Sequence, residues 1–239
     1  MDRLDPAARV AAPADRADAA DDESLVVGPV SRDDPLIVDL AWLSRRIDRP
    51  EAALDTRAPA GEHVGNPHLP PAGGRPHLAA VLIALATASD GALSIILTER
   101  SAHLKKHAGQ IALPGGKVEA RETPVAAALR EAEEEIALPS AAVEVLGTTV
   151  PYLTRTGFLV VPVLGFLRAE ATLHPNPGEV AAVFTAPFRH VMTLQNHREV
   201  TFQSGGATRT VHEVMVGERR VWGVTAGILR LVHEKLYAP

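Results

Sequence analysis

Residues 97–138, LTERSAHLKKHAGQIALPGGKVEARETPVAAALREAEEEIAL, carry the pattern from which the fold and chemistry of this 239-residue chain are predicted. Thr123 and Pro124 are a good helix start, because a capping hydroxyl precedes a proline at the first helical position. An apolar stripe follows at spacings of four, three and four, which predicts one buried helix face. Its members are Val125, Leu129, Ala132 and Ile136.

The same predicted helix carries a cluster of carboxylates. At about 100° per residue, Glu131, Glu134 and Glu135 share an arc whose centre lies well away from the apolar stripe. Three carboxylates so close repel one another and resist ionising together. A hard divalent cation relieves this repulsion, since Mg²⁺ prefers carboxylate oxygens together with phosphates and water. The cluster therefore predicts a metal site.

Residues upstream of the cluster fit this interpretation. Gly115 and Gly116 let the backbone pass close to the same site, where the Gly115 carbonyl can add a metal ligand. Arg130 can neutralise and orient Glu122 or a neighbouring ligand. A solvated acidic helix face is the simpler explanation of the run EAEEE alone. With Gly116, Glu122 and Arg130 in register, the pattern favours catalysis.

This spacing resembles the Nudix box, the loop–helix–loop signature of hydrolases that cleave a diphosphate linked to another moiety. The box usually has glycine where this chain has Ala137, a departure that removes no acidic side chain. The resemblance implies an α/β fold, a mixed sheet sandwiched between helices, and bound Mg²⁺ or Mn²⁺. The matching positions are Gly116, Glu122, Arg130, Glu131, Glu134 and Glu135. Among them, Gly116, Glu122 and Arg130 are expected to support the box.

A second motif, just before the box, is similar to the extra motif of coenzyme A-type Nudix pyrophosphatases. That motif usually has arginine at position 105 and an aromatic residue at position 113, where this chain has Lys105 and Leu113. Lysine keeps the charge but lacks the bidentate fork of arginine. The shared positions are Leu97, Thr98, Arg100, Ser101, Gly109, Gln110, Pro114, Gly115 and Gly116. We expect substrate contacts from Arg100, Lys105, Lys106 and Gly116. For the three cationic residues, the alternative is a basic loop that only makes the chain more soluble.

The resemblance continues beyond the box through residues 176–184 and 221–226. In the first of these segments, Glu179 is the acidic residue outside the box that we assign to the metal or to the general base, and an exposed loop glutamate is an equally good interpretation. The resemblance implies metals bound by Glu131, Glu134 and Glu135. One carboxylate then takes the proton of the attacking water, and the sequence leaves Glu134 and Glu179 as candidates.

The implied reaction is hydrolysis of the diphosphate of coenzyme A or its acyl derivatives. The products would be a 3′-phosphorylated adenosine monophosphate and a phosphopantetheine. We expect Lys105 or Lys106 to contact the 3′-phosphate, and Arg100 to hold the diphosphate or the loop. One alternative is a Nudix hydrolase of another diphosphate, such as ADP-ribose or a dinucleotide. Another is a non-catalytic Nudix fold that binds a nucleotide as a regulator, although a pure binder has no need of three metal carboxylates.

Composition excludes several other functions. The formal net charge of −5 argues against nucleic acid or an anionic membrane as the main partner. No apolar run approaches the roughly 20 residues of a membrane span. The chain has no cysteine, which excludes disulfides and thiol catalysis and fits a cytoplasmic location.

The sequence also predicts a division into three parts. Residues 1–34 are rich in Ala, Asp and Arg and are expected to be a disordered, dispensable tail. Residues 35–77 are expected to form a short helix and a Pro/Gly-rich linker. Residues 78–239 are expected to form the hydrolase domain, in which apolar runs predict paired strands at 78–86 and 93–100 and further strands at 143–153, 158–168 and 208–216.

Overall fold

The structure is a computed structural model, and it describes residues 24–30, 47, 60–61, 75–104, 106–204 and 206–237. The helices in these ranges are α1 (Pro124–Ile136), α2 (Phe188–Val191) and α3 (Val224–Tyr237), with 3₁₀ turns at Ser140–Ala142 and Leu194–Asn196. The strands are β1 (Leu25–Val27), β2 (Ala60–Gly61), β3 (His77–Thr87), β4 (Leu93–Arg100), β5 (Ile111–Ala112), β6 (Gly115–Lys117), β7 (Val143–Thr148), β8 (Tyr152–Leu153), β9 (Phe158–Leu167), β10 (Ala171–Leu173), β11 (Val180–Pro187), β12 (His197–Ser204), β13 (Ala207–Val216) and β14 (Arg219–Trp222).

A mixed sheet forms the centre of the molecule. In the described ranges it has nine strands, with the main order β11-β4-β3-β9-β8-β2, and β5, β6 and β7 pair with β4, β3 and β9. β3 lies parallel to β9 and antiparallel to β4, so the predicted pairing across the turn at Asp90 and Gly91 is confirmed. β9 is buried along almost its whole length, as expected for an apolar strand that is covered on both faces.

Helices cover both faces of this sheet, and alternate residues of β3 point to opposite cores. Ile83 and Leu85 belong to the core that includes α2 and α3. Leu82 and Ala84 belong to the core that includes α1. Since successive side chains of a strand point to opposite faces, one apolar strand supplies both cores. The predicted α/β/α sandwich with a mixed sheet is confirmed.

Helix α1 begins where the sequence predicts. The Ala126 N–H donates to the Thr123 hydroxyl at 3.1 Å, and Pro124 occupies the first turn. The helix ends at Ala137, whose φ of 54° and ψ of 29° are left-handed, and the Ala137 N–H donates to the Glu133 carbonyl at 2.9 Å. A non-glycine residue thus adopts the backbone conformation that usually favours glycine at a helix end.

The buried face of α1 includes the predicted stripe and extends beyond it. Ala132 and Ile136 are buried, and Val125 and Leu129 are partly buried against the same core. Three further residues are also buried, namely Ala127, Ala128 and Glu135. Small alanine side chains let the helix lie close to the sheet, which rotates it toward Glu135. Of the three glutamates in the predicted arc, Glu135 is therefore the one that lies buried at the edge of the core.

Residues 24–30 also depart from the prediction of a disordered tail over residues 1–34. Leu25–Val27 pairs antiparallel with β10, and the Val30 N–H donates to the Leu167 carbonyl at 2.9 Å. Val27 is 1% exposed and packs in the α1-side core. The segment LVVGPV carries enough apolar surface to offset its ordering, unlike the average composition of the tail. The remainder of the predicted tail lies outside the described residues.

The predicted helix and linker at 35–77 lie mostly outside the described residues as well. Three short parts of this range are described. Ile47 is buried, Ala60–Gly61 pairs in parallel with β8, and β3 begins at His77. No helix in the described ranges is long and apolar enough to cross a membrane.

A separate antiparallel sheet of β12, β13 and β14 packs beside α3. Strand β13 confirms the strand predicted at 208–216, and its Val214 belongs to the α3-side core with Val221 of β14. Phe202 and Arg209 are register partners, and Val211 shares their face. Alternation therefore turns these three side chains to the face opposite Val214, and all three line the cavity described below.

Candidate active site

Two glycines of β6 let helix α1 bring its carboxylates against the sheet. At Gly115, where φ is 153°, an added Cβ would collide with the Ala80 carbonyl and with Val81. At Gly116 an added Cβ would collide with the carboxylate of Glu131. Any other residue at position 115 would displace the backbone of β3 or β6, whereas a side chain at position 116 would push the Glu131 carboxylate out of its place in the site.

Arg130 links the loop before α1 to the acidic face of that helix. Its Nε and one terminal nitrogen donate to both oxygens of Glu122 at 2.9 and 3.1 Å, and it also donates to the Lys117 carbonyl at 3.1 Å. The other terminal nitrogen lies 3.0 Å from Glu134 and 3.1 Å from Glu131. The Arg130 hydrogen bond lowers the pKa of Glu122 and raises the pKa of Arg130 itself. Arg130 therefore fixes the positions of three glutamates.

Glu135 is the most buried carboxylate of the site. Its side chain accepts a hydrogen bond from the Gly115 N–H at 3.1 Å and lies 3.9 Å from the guanidinium of Arg100. Burial raises the pKa of Glu135 to about 7, although the Gly115 hydrogen bond opposes the shift. The negative charges of Glu131 and Glu179 raise this pKa further. A nearby cation would therefore stabilise the ionised form of Glu135.

Glu131 and Glu179 complete this group of acids. Burial raises the pKa of Glu131, against the influence of Arg130, and the charges of Glu134 and Glu179 add to the rise. Glu179 is exposed in the turn before β11, and its carbonyl accepts the Ser101 N–H at 2.9 Å. This backbone contact holds Glu179 beside the end of β4, near the two helix carboxylates.

The donor set fits a hard divalent cation. Glu131 and Glu135 are carboxylates with raised pKa values that a cation would lower, and Glu179 is a third carboxylate nearby. Glu134 differs, since its side chain is 58% exposed and bonded to Arg130. Within the described ranges, no three acidic or histidine side chains are arranged to hold a metal ion directly. The roles of Gly115, Glu131, Glu134 and Glu135 as ligands stay predictions.

The three cationic residues that were predicted to bind the substrate differ in their position relative to the acidic site. Arg100 ends β4 beside Glu135, and its Nε is buried without a hydrogen-bond partner in the described part of the chain. Lys106 is exposed in the following loop. Lys105 lies outside the described residues. The structure thus brings Arg100, but not Lys106, to the acidic site.

A cavity of about 450 Å³ begins beside this site, and Arg100 and Gly115 are part of its lining. This volume lies within the range of roughly 300–1,000 Å³ that is typical of small-molecule sites. The α3 side is closed where the Thr225 hydroxyl donates to the Ile111 carbonyl at 3.0 Å. Aromatic and basic side chains from several strands complete the lining, among them Arg155, Phe158, Phe202, Arg209 and Trp222.

Sequence reasoning missed this second part of the site. Phe158, Phe202 and Arg209 come from strands that are distant in the chain, and no short motif joins them. Alternation in β13 predicts that Arg209 and Val211 share a face. It carries no information on whether that face meets solvent or a cavity.

A family profile described as NUDIX domain matches residues 76–204, more than half of the chain. The chain therefore belongs to the NUDIX family, and its class is that of the hydrolases that cleave diphosphate linkages. Enzymes of this family generally use divalent metal ions.

Individual relatives agree with this family. The chain is 38% identical over 161 residues to a protein named Uncharacterized Nudix hydrolase NudL from Yersinia enterocolitica, a span of 67% of this chain and 82% of that relative. It is 43% identical over 137 residues to a protein of the same name from Escherichia fergusonii, covering 57% of this chain and 71% of the relative. Among solved structures, a Nudix hydrolase from M. smegmatis, RenU, is similar with 28% identity and a TM-score of 0.42 over 49% of this chain and 74% of that one.

Proposed function

We propose that the protein hydrolyses the diphosphate bond of coenzyme A or its acyl derivatives. The products are a 3′-phosphorylated adenosine monophosphate and a phosphopantetheine or its acyl form. The observation that carries this proposal is the position of the upstream motif. Its residues Arg100, Gln110, Leu113 and Gly115 line the cavity, and the Gly115 N–H also donates to Glu135. The motif that is similar to the coenzyme A branch thus joins the acidic site to the cavity.

The residues of the chain divide the work of this reaction. Glu131 and Glu135, with Glu134, Glu179 and the Gly115 carbonyl as further donors, would hold Mg²⁺ or Mn²⁺. The bound cation supplies charge neutralisation of the diphosphate and a more acidic water. Arg100 binds diphosphate oxygens, because it lies at the junction of the acidic site and the cavity.

Proton removal from the attacking water falls to Glu134 or Glu179. Both side chains are exposed, so either one can reach water and return the proton to solvent. The guanidinium of Arg130 lies 3.0 Å from the Glu134 carboxylate, which fixes the orientation of that carboxylate. The backbone of Glu179 is held by the Ser101 N–H, which donates to the Glu179 carbonyl at 2.9 Å. Separate Glu134→Gln and Glu179→Gln variants distinguish the two, because loss of the base should lower kcat at neutral pH far more than loss of the other carboxylate.

A substrate panel tests the proposal. Purified full-length protein is incubated with coenzyme A, an acyl derivative, dephospho-coenzyme A, ADP-ribose and a dinucleotide, each with Mg²⁺, with Mn²⁺ or with a chelator. We expect the highest kcat/KM for coenzyme A or its acyl derivative, with products whose masses match cleavage at the diphosphate. The Glu135→Gln variant is the control for a contaminating hydrolase. Higher kcat/KM for ADP-ribose or a dinucleotide would replace the proposed substrate, and no turnover of any compound would indicate a nucleotide-binding regulator.

The cytoplasmic location stays a prediction.

A further inference from the structure

Arg209 differs from the other arginines of the β12–β14 sheet. Arg198 and Arg220 lie 3.0 and 2.5 Å from Glu213, and Arg219 lies 3.8 Å from Glu99. Arg209 has no such carboxylate among the described residues, and its Nε is buried without a hydrogen-bond partner there. Each of the other three arginines of this sheet has a carboxylate partner. Packing within the sheet therefore does not explain Arg209, which lacks such a partner among the described residues.

The position of Arg209 indicates where a partner would come from. Arg209 lines the same cavity as Arg100, but it belongs to a different wall, formed by the β12–β13 hairpin. A partly buried guanidinium without a counter-charge is unfavourable, and an anionic ligand in the cavity would supply that charge. Arg100 already lies beside the acidic site, at 3.9 Å from Glu135. Arg155 also lines the cavity, but Arg209 is the arginine of the β12–β13 wall, so it offers a cationic position apart from the one that serves the diphosphate.

The other lining residues narrow the class of ligand. Phe158, Phe202 and Trp222 give the cavity three aromatic side chains, and Phe202 is the direct register partner of Arg209. Aromatic rings stack on planar bases, and arginine binds phosphate through its fork of N–H donors. This combination fits a nucleoside that carries a phosphate of its own, separate from the diphosphate that is cleaved.

We propose that Arg209 determines specificity by binding a phosphate on the ribose of the substrate, while the aromatic side chains contact the base. This inference rests on the proposed function, and in coenzyme A the phosphate on the ribose is the 3′-phosphate. Arg209 then takes the role that the sequence assigned to Lys105 or Lys106. Lys106 is exposed and is not among the residues that line the cavity. Strands β13 and β14 lie beyond residues 76–204, so this recognition belongs to a part of the chain outside the family match.

Binding of two nucleotides that differ by one phosphate tests this role directly. Adenosine 3′,5′-bisphosphate and adenosine 5′-monophosphate lack a diphosphate, so neither is hydrolysed during titration calorimetry with the full-length protein in Mg²⁺. We expect the wild type to bind the bisphosphate on the order of tenfold more tightly, as one charge-assisted hydrogen bond predicts. Arg209→Gln should abolish this preference, and Arg209→Lys should keep part of it. Arg189→Gln, which removes an exposed arginine outside the cavity, and Lys106→Ala should both keep it in full.

The outcomes separate this inference from the proposed function. The inference would be overturned if the wild type does not prefer the bisphosphate, or if Arg209→Gln retains the preference. It would also be overturned if Lys106→Ala loses the preference for the bisphosphate. A wild type that prefers the bisphosphate through Arg209 but does not hydrolyse coenzyme A would overturn only the proposed function. Removal of Arg209 leaves no described carboxylate unpaired, and an unchanged melting temperature of Arg209→Gln verifies its fold. If that variant does not fold, the preference of Arg209→Lys relative to the wild type decides the question.

Discussion

The two faces of the central sheet carry different parts of this enzyme. On the α1 face, charged side chains are concentrated in one helix and the loop before it, and Arg130 ties them together. On the α3 face, a mostly apolar cavity is lined by residues from many strands, several of them outside the family match. The faces meet at Gly115, which bonds to Glu135 and also lines the cavity. The residues of the candidate metal site thus lie mostly in one stretch of the sequence, whereas the residues that line the cavity are brought together by the assembled fold.

The largest effect is expected from the α1 face. Glu135→Gln and Glu131→Gln keep the side-chain shape but remove ligand charge, so each should lower kcat by at least about a hundredfold, or on the order of 3 kcal/mol in activation free energy. Glu133→Gln is the matched control, because Glu133 is exposed on the same helix and bonds to Ser140. Steady-state rates at saturating Mg²⁺ provide the measurement. Near wild-type turnover in both site variants would show that the site is assigned incorrectly.

An intermediate effect is expected where β1 joins the α1-side core. Val27 is 1% exposed and its neighbour Val26 is 50% exposed, so the two form a matched pair on one strand. Val27→Ala should lower the free energy of unfolding by about 2 kcal/mol, whereas Val26→Ala should change it by less than about 0.5 kcal/mol. Chemical denaturation of both variants provides the values.

The same strand corrects the expectation that residues 1–34 are dispensable. A chain starting at Asp34 lacks β1, so it should lose at least as much stability as Val27→Ala. If it melts at the wild-type temperature, or if both valine variants lose equal stability, β1 does not contribute to the core as described.

A smaller effect, of opposite sign, is expected at the end of α1. Ala137 adopts a left-handed conformation with φ of 54°, which disfavours a side chain. Ala137→Gly should raise the free energy of unfolding by about 0.5–1 kcal/mol, because relief of this strain exceeds the entropy that glycine adds to the unfolded chain. Ala126→Gly, inside the same helix, should lower it by a similar amount. Equal destabilisation in both variants would show that the left-handed helix end carries no strain.

The smallest effect is expected from two half-buried histidines beside α3. Burial lowers the pKa of His197 and of His212, and the positive charge of Arg230 lowers both further. The unfolded state therefore binds protons more readily than the folded state. The contribution of the two neutral histidines to the free energy of unfolding should be complete above the ordinary histidine pKa of about 6.5. This contribution should fall as the pH decreases through that value.

Two variants isolate this contribution from that of the carboxylates. Changing both histidines to glutamine should reduce the difference between melting temperatures at pH 8 and pH 5.5. His103→Gln, at an exposed loop position, should leave the difference unchanged. A double variant with the same pH response as the wild type would assign the acid sensitivity to other groups.

The sequence predicted those features that depend on neighbours in the chain. Thr123 and Pro124 start a helix by a local rule, and the apolar runs of β3 and β9 identify themselves by composition. The rotation of α1 that buries Glu135 was not predictable, because it depends on how closely alanines pack against a sheet from elsewhere in the chain. Arg209 was not predictable for a similar reason, since its role depends on which surface its strand faces.

The ratio of kcat/KM for coenzyme A to kcat/KM for dephospho-coenzyme A tests the division of labour between the two faces most directly. It is measured for the wild type, Glu135→Gln and Arg209→Gln under identical Mg²⁺. We predict that Glu135→Gln slows both substrates and leaves the ratio within about twofold of wild type, as for independent sites. Arg209→Gln should lower the ratio on the order of tenfold by affecting coenzyme A alone. A ratio that changes with Glu135→Gln and not with Arg209→Gln would contradict the account.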